Sequence, residues 1–180
     1  MTTRGRPQGE LEFALLDEEL LRDFVAFSCG DEEWHTDLRD FLLEDALTQA
    51  RGRFSVTFVF YTPLQEPVGY LSLSAAQVNR ADTGIRPRPP YPVVPAVLIG
   101  RLGIDRRYQG RGYGRQVMGL VRDWARDLVV GCRVLALQVD VRNEDAITFY
   151  TRLGFEVAPI EVARGMQWML FDLGGRDAVL

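Results

Sequence analysis

The 180-residue chain predicts a single α/β (α+β) domain, and three observations carry that expectation. Runs of β-forming residues alternate with segments of helical periodicity along its length. The apolar run Ala96 to Ile104 passes through a turn with glycine at 110, 112 and 114 directly into an amphipathic segment, a strand–turn–helix join. With 47% hydrophobic residues, a chain of this length can bury one sizeable core. Residues 1–10 are expected as a flexible tail, 11–173 as the domain and 174–180 as a second tail.

Taken in order, Leu11 to Leu16 is expected as a first strand. Asp17 to Phe27 and Thr36 to Arg51 read as helices, the second carrying Leu38, Phe41, Leu42, Asp45 and Ala46 at helical spacing, with Cys29-Gly30 breaking between them. Phe54 to Tyr61 and Val68 to Leu73 are rich in β-formers and, with Pro63 and Pro67 between and beside them, predict a hairpin. Asn79 to Pro95 holds five of the nine prolines and no apolar period, so it is expected as a loop that shapes an acceptor pocket. From Tyr113, the residues Val117, Leu120, Val121, Trp124 and Leu128 form an apolar helical face and leave Arg115, Arg122 and Arg126 outside. Val134 to Val141 is a strand of parallel-sheet character. Asn143 is placed to cap a helix with Glu144 and Asp145 in its first turn, Gly154 to end it and Phe155 to pack back on its last turn. The resulting β-α-β unit should be right-handed. Met166 to Leu173 is the closing strand.

Charge and cysteine content exclude several classes. Cys29 and Cys132 stand far apart with no C-x-x-C pattern and one histidine, so neither a disulfide framework nor a metal site is expected. The polar beginning and the lack of any apolar run near the ~20 residues of a membrane span predict a soluble, cytoplasmic protein. Residues 1–50 carry four arginines against thirteen acids, and the remainder seventeen against twelve. A basic second part suits a polyanionic cofactor, while the acidic first part either steers a cationic acceptor or lines solvated helix faces.

The turn Arg106-Arg107-Tyr108-Gln109-Gly110-Arg111-Gly112-Tyr113-Gly114-Arg115 carries the chemistry. Glycines leave backbone N–H groups bare, and a helix N-terminus adds free donors and a positive dipole end, which together suit an anion. Four arginines flank it and suit more than one phosphate. A dinucleotide fingerprint fails, because Arg115 stands where its third glycine belongs and the ribose-binding acid would fall near Leu135. A nucleotide-hydrolase loop fails because the chain contains no lysine. An ordinary strand-to-helix turn with solvated arginines stays open beside the pyrophosphate cradle.

Gln109-Gly110-Arg111-Gly112-Tyr113-Gly114 resembles the Arg/Gln-x-x-Gly-x-Gly/Ala motif of the GCN5-related N-acetyltransferases, and Asn143 to Phe155 resembles their second signature, Asn-x-x-Ala-x-x-x-Tyr-x-x-x-Gly-Phe. The resemblance spans Ala96 to Phe171. It implies a mixed, mostly antiparallel sheet whose central parallel strand pair splays around the cofactor, with flanking helices. It implies acetyl-CoA as cosubstrate, no metal, and transfer to a primary amine of a small molecule, protein or peptide. By the same resemblance, Leu102 N–H is the oxyanion donor and Tyr150 the acid that protonates the departing sulfur. Cofactor contacts fall to Leu102, Ile104, Arg107, Gln109, Gly110, Arg111, Gly112, Tyr113, Gly114, Arg115, Asn143 and Ala146. Tyr150 as a core residue and Asn143 as a mere helix cap remain the alternative readings. No general base declares itself among His35, Glu32, Glu33 and Glu44.

Phe27-Ser28-Cys29-Gly30, Asp37 to Leu42 and Gly100 to Gly110 also resemble acetyltransferase toxins that modify aminoacyl-tRNA, although those tend to be basic where this chain is acidic. Nucleic acid enters as a partner only through that alternative. No membrane partner is implied, and a homodimer is allowed. A non-catalytic acyl-CoA-binding module is the rival from another class, and it would be free to lose Tyr150.

Overall fold

A computed structural model describes residues 11–85, 90–127, 131–160 and 164–174. Seven strands form one sheet in the order β1-β2-β3-β4-β5-β7-β6. They are β1 Glu12–Leu15, β2 Val56–Tyr61, β3 Pro67–Asn79, β4 Val93–Ile104, β5 Val134–Asp140, β6 Glu156–Val157 and β7 Met166–Asp172. The pairings β1–β2, β2–β3, β5–β7 and β6–β7 are antiparallel, whereas β4 and β5 run parallel, with Ala96–Ile99 against Val134–Leu137. The helices are α1 Glu18–Leu21, α2 Glu33–Asp40, α3 Ala46–Arg51, α4 Tyr113–Arg126 and α5 Glu144–Arg152. A mixed, mostly antiparallel sheet with one parallel pair is the architecture expected. The two expected tails fall on residues 1–10 and 175–180, outside the described residues apart from Gly174.

Two compact units are distinguished within the chain, Met1–Ser74 with Gly100–Leu120 and Ala75–Ile99 with Val121–Leu180. In the first, Leu16, Leu20, Phe24, Phe27, Phe41, Leu42, Ala46, Val59, Tyr61 and Tyr70 are buried together. Each fully buried large apolar side chain contributes roughly 1.5–3 kcal/mol, and the rings of Phe24 and Tyr61, and of Phe27 and Tyr70, meet edge to face at 5.8 and 5.6 Å. In the second unit, Val78, Ile85, Val94, Ala96, Val134, Ala136, Ala158 and Leu170 form the core, joined by Leu98, Ile160 and Trp168.

Local chemistry accounts for the departures from the sequence expectations. The first helix is shorter than Asp17 to Phe27: Asp17 Oδ1 accepts from Glu19 N and Leu20 N at 3.0 and 2.9 Å, and after one turn α1 tightens into a 3₁₀ turn, Arg22–Phe24. Helix α2 starts at Glu33, three residues before Thr36, because Glu32 N donates to His35 Nδ1 at 3.3 Å and closes a capping box. The run to Arg51 is not uniform either, since Ala46 N bonds Phe41 O across a π-helical turn, Phe41–Asp45. β3 continues to Asn79, well past Leu73, and β4 begins at Val93, so the expected loop Asn79 to Pro95 contracts from both ends. Its residues 86–89 lie outside the described residues. The end of the amphipathic face at Leu128 does too; along α4 the buried residues are Val117, Met118, Val121 and Ala125, with Leu120 and Trp124 half-buried. Arg122, expected outside, is half-buried with its guanidinium 5.5 Å over the Phe171 ring. A two-residue strand, β6, had no sequence signal.

Candidate functional site

The turn between β4 and α4 is built from the inside outward. Asp105, 2% exposed, follows the last residue of β4, and its carboxylate accepts from Arg107 N at 2.9 Å, from Arg107 Nε and Nη2 at 2.9 and 3.2 Å, and from Ser28 N at 3.4 Å. Burial alone would raise its pKa, but the hydrogen bonds from the Arg107 side chain and from the backbone of Arg107 and Ser28 prevail and hold the carboxyl below the usual aspartate value. Gln109 turns its side chain inward, with Nε2 donating to Cys29 O at 2.7 Å and Ile104 O at 2.9 Å. Beyond these anchors the chain opens. Gly110 and Gly112 have φ of +73° and +86°, both are exposed, and a Cβ added at either would meet nothing within 4 Å. The space over the turn is therefore open, and the conformation is one that an L side chain adopts only with strain.

The four arginines divide into two pairs. Arg106 meets Asp31 at 2.7 Å and Arg107 is committed to Asp105. Arg111 and Arg115 are exposed and, among the described residues, form no ion pair; Arg111 rests 5.3 Å over the Tyr108 ring, which Arg107 also approaches at 5.5 Å. Tyr108 in turn meets Tyr113, the first residue of α4, edge to face at 6.1 Å. Exposed cations at a helix start beside bare N–H groups can receive an anion without first breaking a salt bridge. Gly114 and Arg115 lie in the first turn of α4, where the N–H groups have no partner within the helix.

On β4, Leu102 and Ile104 are half-buried and bracket Gly103. Glycine at 103 serves packing: an added Cβ would lie 2.8 Å from Tyr70, 2.9 Å from Phe27 and 3.1 Å from Cys29. Burial pushes the Cys29 thiol up to about 12, with the Asp105 charge adding to the rise, which leaves it inert as a nucleophile. Arg101 reaches back to α2, with Nη2 3.2 Å from Asp37 and its guanidinium 5.2 Å over Phe41.

The second unit carries α5. Asn143 caps it, Oδ1 accepting from Ala146 N at 3.0 Å, which uses the Ala146 N–H and leaves the Asn143 amide nitrogen for another partner. Gly154, at φ +89°, ends the helix, with its own N–H donating to Thr151 O and Phe155 N to Tyr150 O, both at 3.0 Å. Tyr150 is 9% exposed among aromatic rings, 5.1 Å from Phe149 and 5.5 Å from Phe155 between centroids. Its hydroxyl forms no hydrogen bond among the described residues, and burial raises its pKa well above the ordinary tyrosine value. A phenol in that state stays protonated and available as a donor.

Base candidates gain nothing from the geometry. His35 Nδ1 is taken by the Glu32 N–H and its ring lies 5.9 Å from Trp34, while Glu32, Glu33 and Glu44 are exposed on the surface of their helices. Among the described residues, no three His, Cys, Asp or Glu side chains gather as metal ligands, and no helix is long and apolar enough to cross a membrane. Sequence reasoning missed Asp105 and the Ser28 and Cys29 backbone groups it works beside. An acid immediately after an apolar strand and immediately before two arginines was the available signal.

The model of the acetyltransferase (GNAT) family matches residues 14–155. The tRNA-acetylating toxin of Mycobacterium tuberculosis is 30% identical over 147 residues, covering 77% of this chain and 81% of that protein. Among solved structures, a tyrosine-to-phenylalanine mutant of KacT superposes with a TM-score of 0.74 at 26% identity, over 91% of this chain and 95% of that one. AtaT complexed with acetyl-methionyl-tRNA gives 0.71 at 27% identity with the same coverage, and AtaTR bound with acetyl-CoA gives 0.70 at 28%, over 91% of this chain and 94% of that one. An open glycine turn entering a helix, a capped helix bearing a buried tyrosine, and these likenesses across most of the chain lead to one assignment: the chain belongs to the acetyltransferase (GNAT) family.

Proposed function

We propose that this acetyltransferase moves the acetyl group of acetyl-CoA to the α-amine of an aminoacyl-tRNA. The observation that carries the reading is the likeness to the tRNA-acetylating toxin, which runs through 81% of that protein's length. The AtaT complex with acetyl-methionyl-tRNA, similar over 91% of this chain, supports it independently. The chain's own chemistry agrees. An α-amine with a pKa of ~7.7–8.0 is about a quarter neutral near pH 7.4, whereas a lysine-type amine at ~10.4 is about one part in a thousand neutral. A site in which no candidate base is placed for the task suits the α-amine, which arrives ready to attack.

In this reading the amine nitrogen attacks the thioester carbon, the C–S bond breaks, and the carbonyl oxygen gains charge in between. Leu102 N–H stabilises that charge, the Tyr150 hydroxyl gives its proton to the departing sulfur, and the proton shed by the amine nitrogen passes through solvent water to restore the phenol. The N–H groups from Gln109 to Arg115, with the exposed Arg111 and Arg115, hold the pyrophosphate, and the Asn143 amide nitrogen contacts the pantetheine arm. Ile104 and Ala146 line the same arm. Of the acids in residues 1–50, Asp31 and Asp37 are paired with Arg106 and Arg101. Acetylation of charged tRNA, measured beside a panel of polyamines and peptides at two salt concentrations, tests the proposal. Transfer to charged tRNA that weakens with salt is expected. Transfer to free amines alone would restore the small-molecule or peptide acceptor, and thioester binding with no transfer to any amine would favour a non-catalytic acyl-CoA-binding module.

A further inference from the structure

Gln109 stands in the glycine motif as a cofactor contact, yet its carboxamide points the other way. Both hydrogens of Nε2 are committed, one to Cys29 O at 2.7 Å and one to Ile104 O at 2.9 Å. Only the amide oxygen is left, and an acceptor has nothing to offer a phosphate. The segment it grips is held at further points: Arg106 N donates to Ser28 O at 2.7 Å, Ser28 N to Asp105 at 3.4 Å, and Arg106 meets Asp31 at 2.7 Å. That segment continues into α2, whose Asp37 reaches Arg101 at 3.2 Å, on the other side of Leu102. Phe27 and Cys29 also crowd Gly103 from the side. Residues 27–37 thus grip the β4 end and the glycine turn at both limits of the stretch from Arg101 to Gln109.

We infer that Gln109 is a positioning residue that clasps the glycine turn to the Ser28–Asp31 segment and so fixes the turn's place relative to Leu102. The inference rests on the reading of the turn as the pyrophosphate cradle. A rigid spacing between the group that holds the cofactor's phosphates and the donor that meets its carbonyl is what transfer requires, since displacements near 1 Å at the reacting centre lower rates about 100-fold. The clasp also couples the two segments: filling the turn should quiet Ser28–Asp31 as well.

Hydrogen exchange on the wild-type protein and on the Gln109→Met and Gln109→Arg variants, each with and without acetyl-CoA, tests the clasp. Methionine keeps the length of the side chain and removes the donors; arginine restores donors for two carbonyls. Acetyl-CoA should slow exchange at residues 110–114 in all three. The slowing at residues 28–31 should appear in the wild type, vanish in Gln109→Met and return in Gln109→Arg. Full slowing at residues 28–31 in Gln109→Met would overturn the clasp. No slowing at residues 110–114 in the wild type would instead overturn the cradle reading beneath it.

Discussion

Gly112 and Gly154 share nearly the same backbone conformation, φ +86° and +89°, in opposite surroundings. A Cβ at Gly112 would meet nothing within 4 Å, whereas one at Gly154 would lie 3.2 Å from Phe171. The first glycine sits in an exposed turn whose side chains fold inward onto Asp105 and Cys29 O; the second closes a helix over the rings of Tyr150, Phe155 and Phe171. Positive φ alone therefore does not mark a ligand. Vacancy above the glycine, with donors beside it, is what distinguishes a binding turn from a helix cap.

The largest effect expected on the closed side is chemical. Tyr150→Phe should lower turnover by about 10²–10⁴-fold while acetyl-CoA affinity holds, because the hydroxyl acts as the thiolate forms; steady-state kinetics beside calorimetry separates the two. Next is Gly154→Val, which adds left-handed strain of about 1–2 kcal/mol and crowds Phe171. Its thermal midpoint should fall by several degrees, at about 2–4 °C per kcal/mol for a chain of this size. Asn143→Ala removes the bond to Ala146 N and should cost about 1 kcal/mol in chemical denaturation.

The smallest effect concerns the open side and pH. Asp105 has its folded pKa held below the usual value, so its ion pair contributes stability above the ordinary aspartate range, near ~3.9, and loses it as pH falls through the folded value. The thermal midpoints of wild type and Asp105→Asn should differ at pH 7 and converge below pH ~4. A gap that persists undiminished in acid would mean that the carboxylate charge is not what anchors the turn.

Much of this contrast is legible in the sequence, and the parts that are not have physical reasons. Asn143, Glu144, Gly154 and Phe155 announce α5 because caps are local chemistry, and the glycines at 110, 112 and 114 announce the turn for the same reason. The start of α2 is missed because histidine stands at the position where Glu or Gln marks a capping box. The π-helical turn at Phe41–Asp45 follows from tertiary packing of Phe41 and Leu42 against Tyr70 and its neighbours, which no periodicity encodes. The inward turn of Gln109 depends on carbonyls 80 and 5 residues away in sequence, and Arg122 is half-buried because Phe171 lies beneath it. Motif spacing locates such residues without saying which way their side chains point.

On the proposed reading, the open positive-φ glycine belongs to the cofactor and the closed one to the fold. Calorimetric titration of acetyl-CoA into Gly112→Val and Gly154→Val, at a temperature where both are folded, addresses it most directly. The dissociation constant should rise about tenfold or more for Gly112→Val, roughly 1.4 kcal/mol, and stay within about threefold of wild type for Gly154→Val. Equal affinities in the two variants, or a loss confined to Gly154→Val, would contradict it.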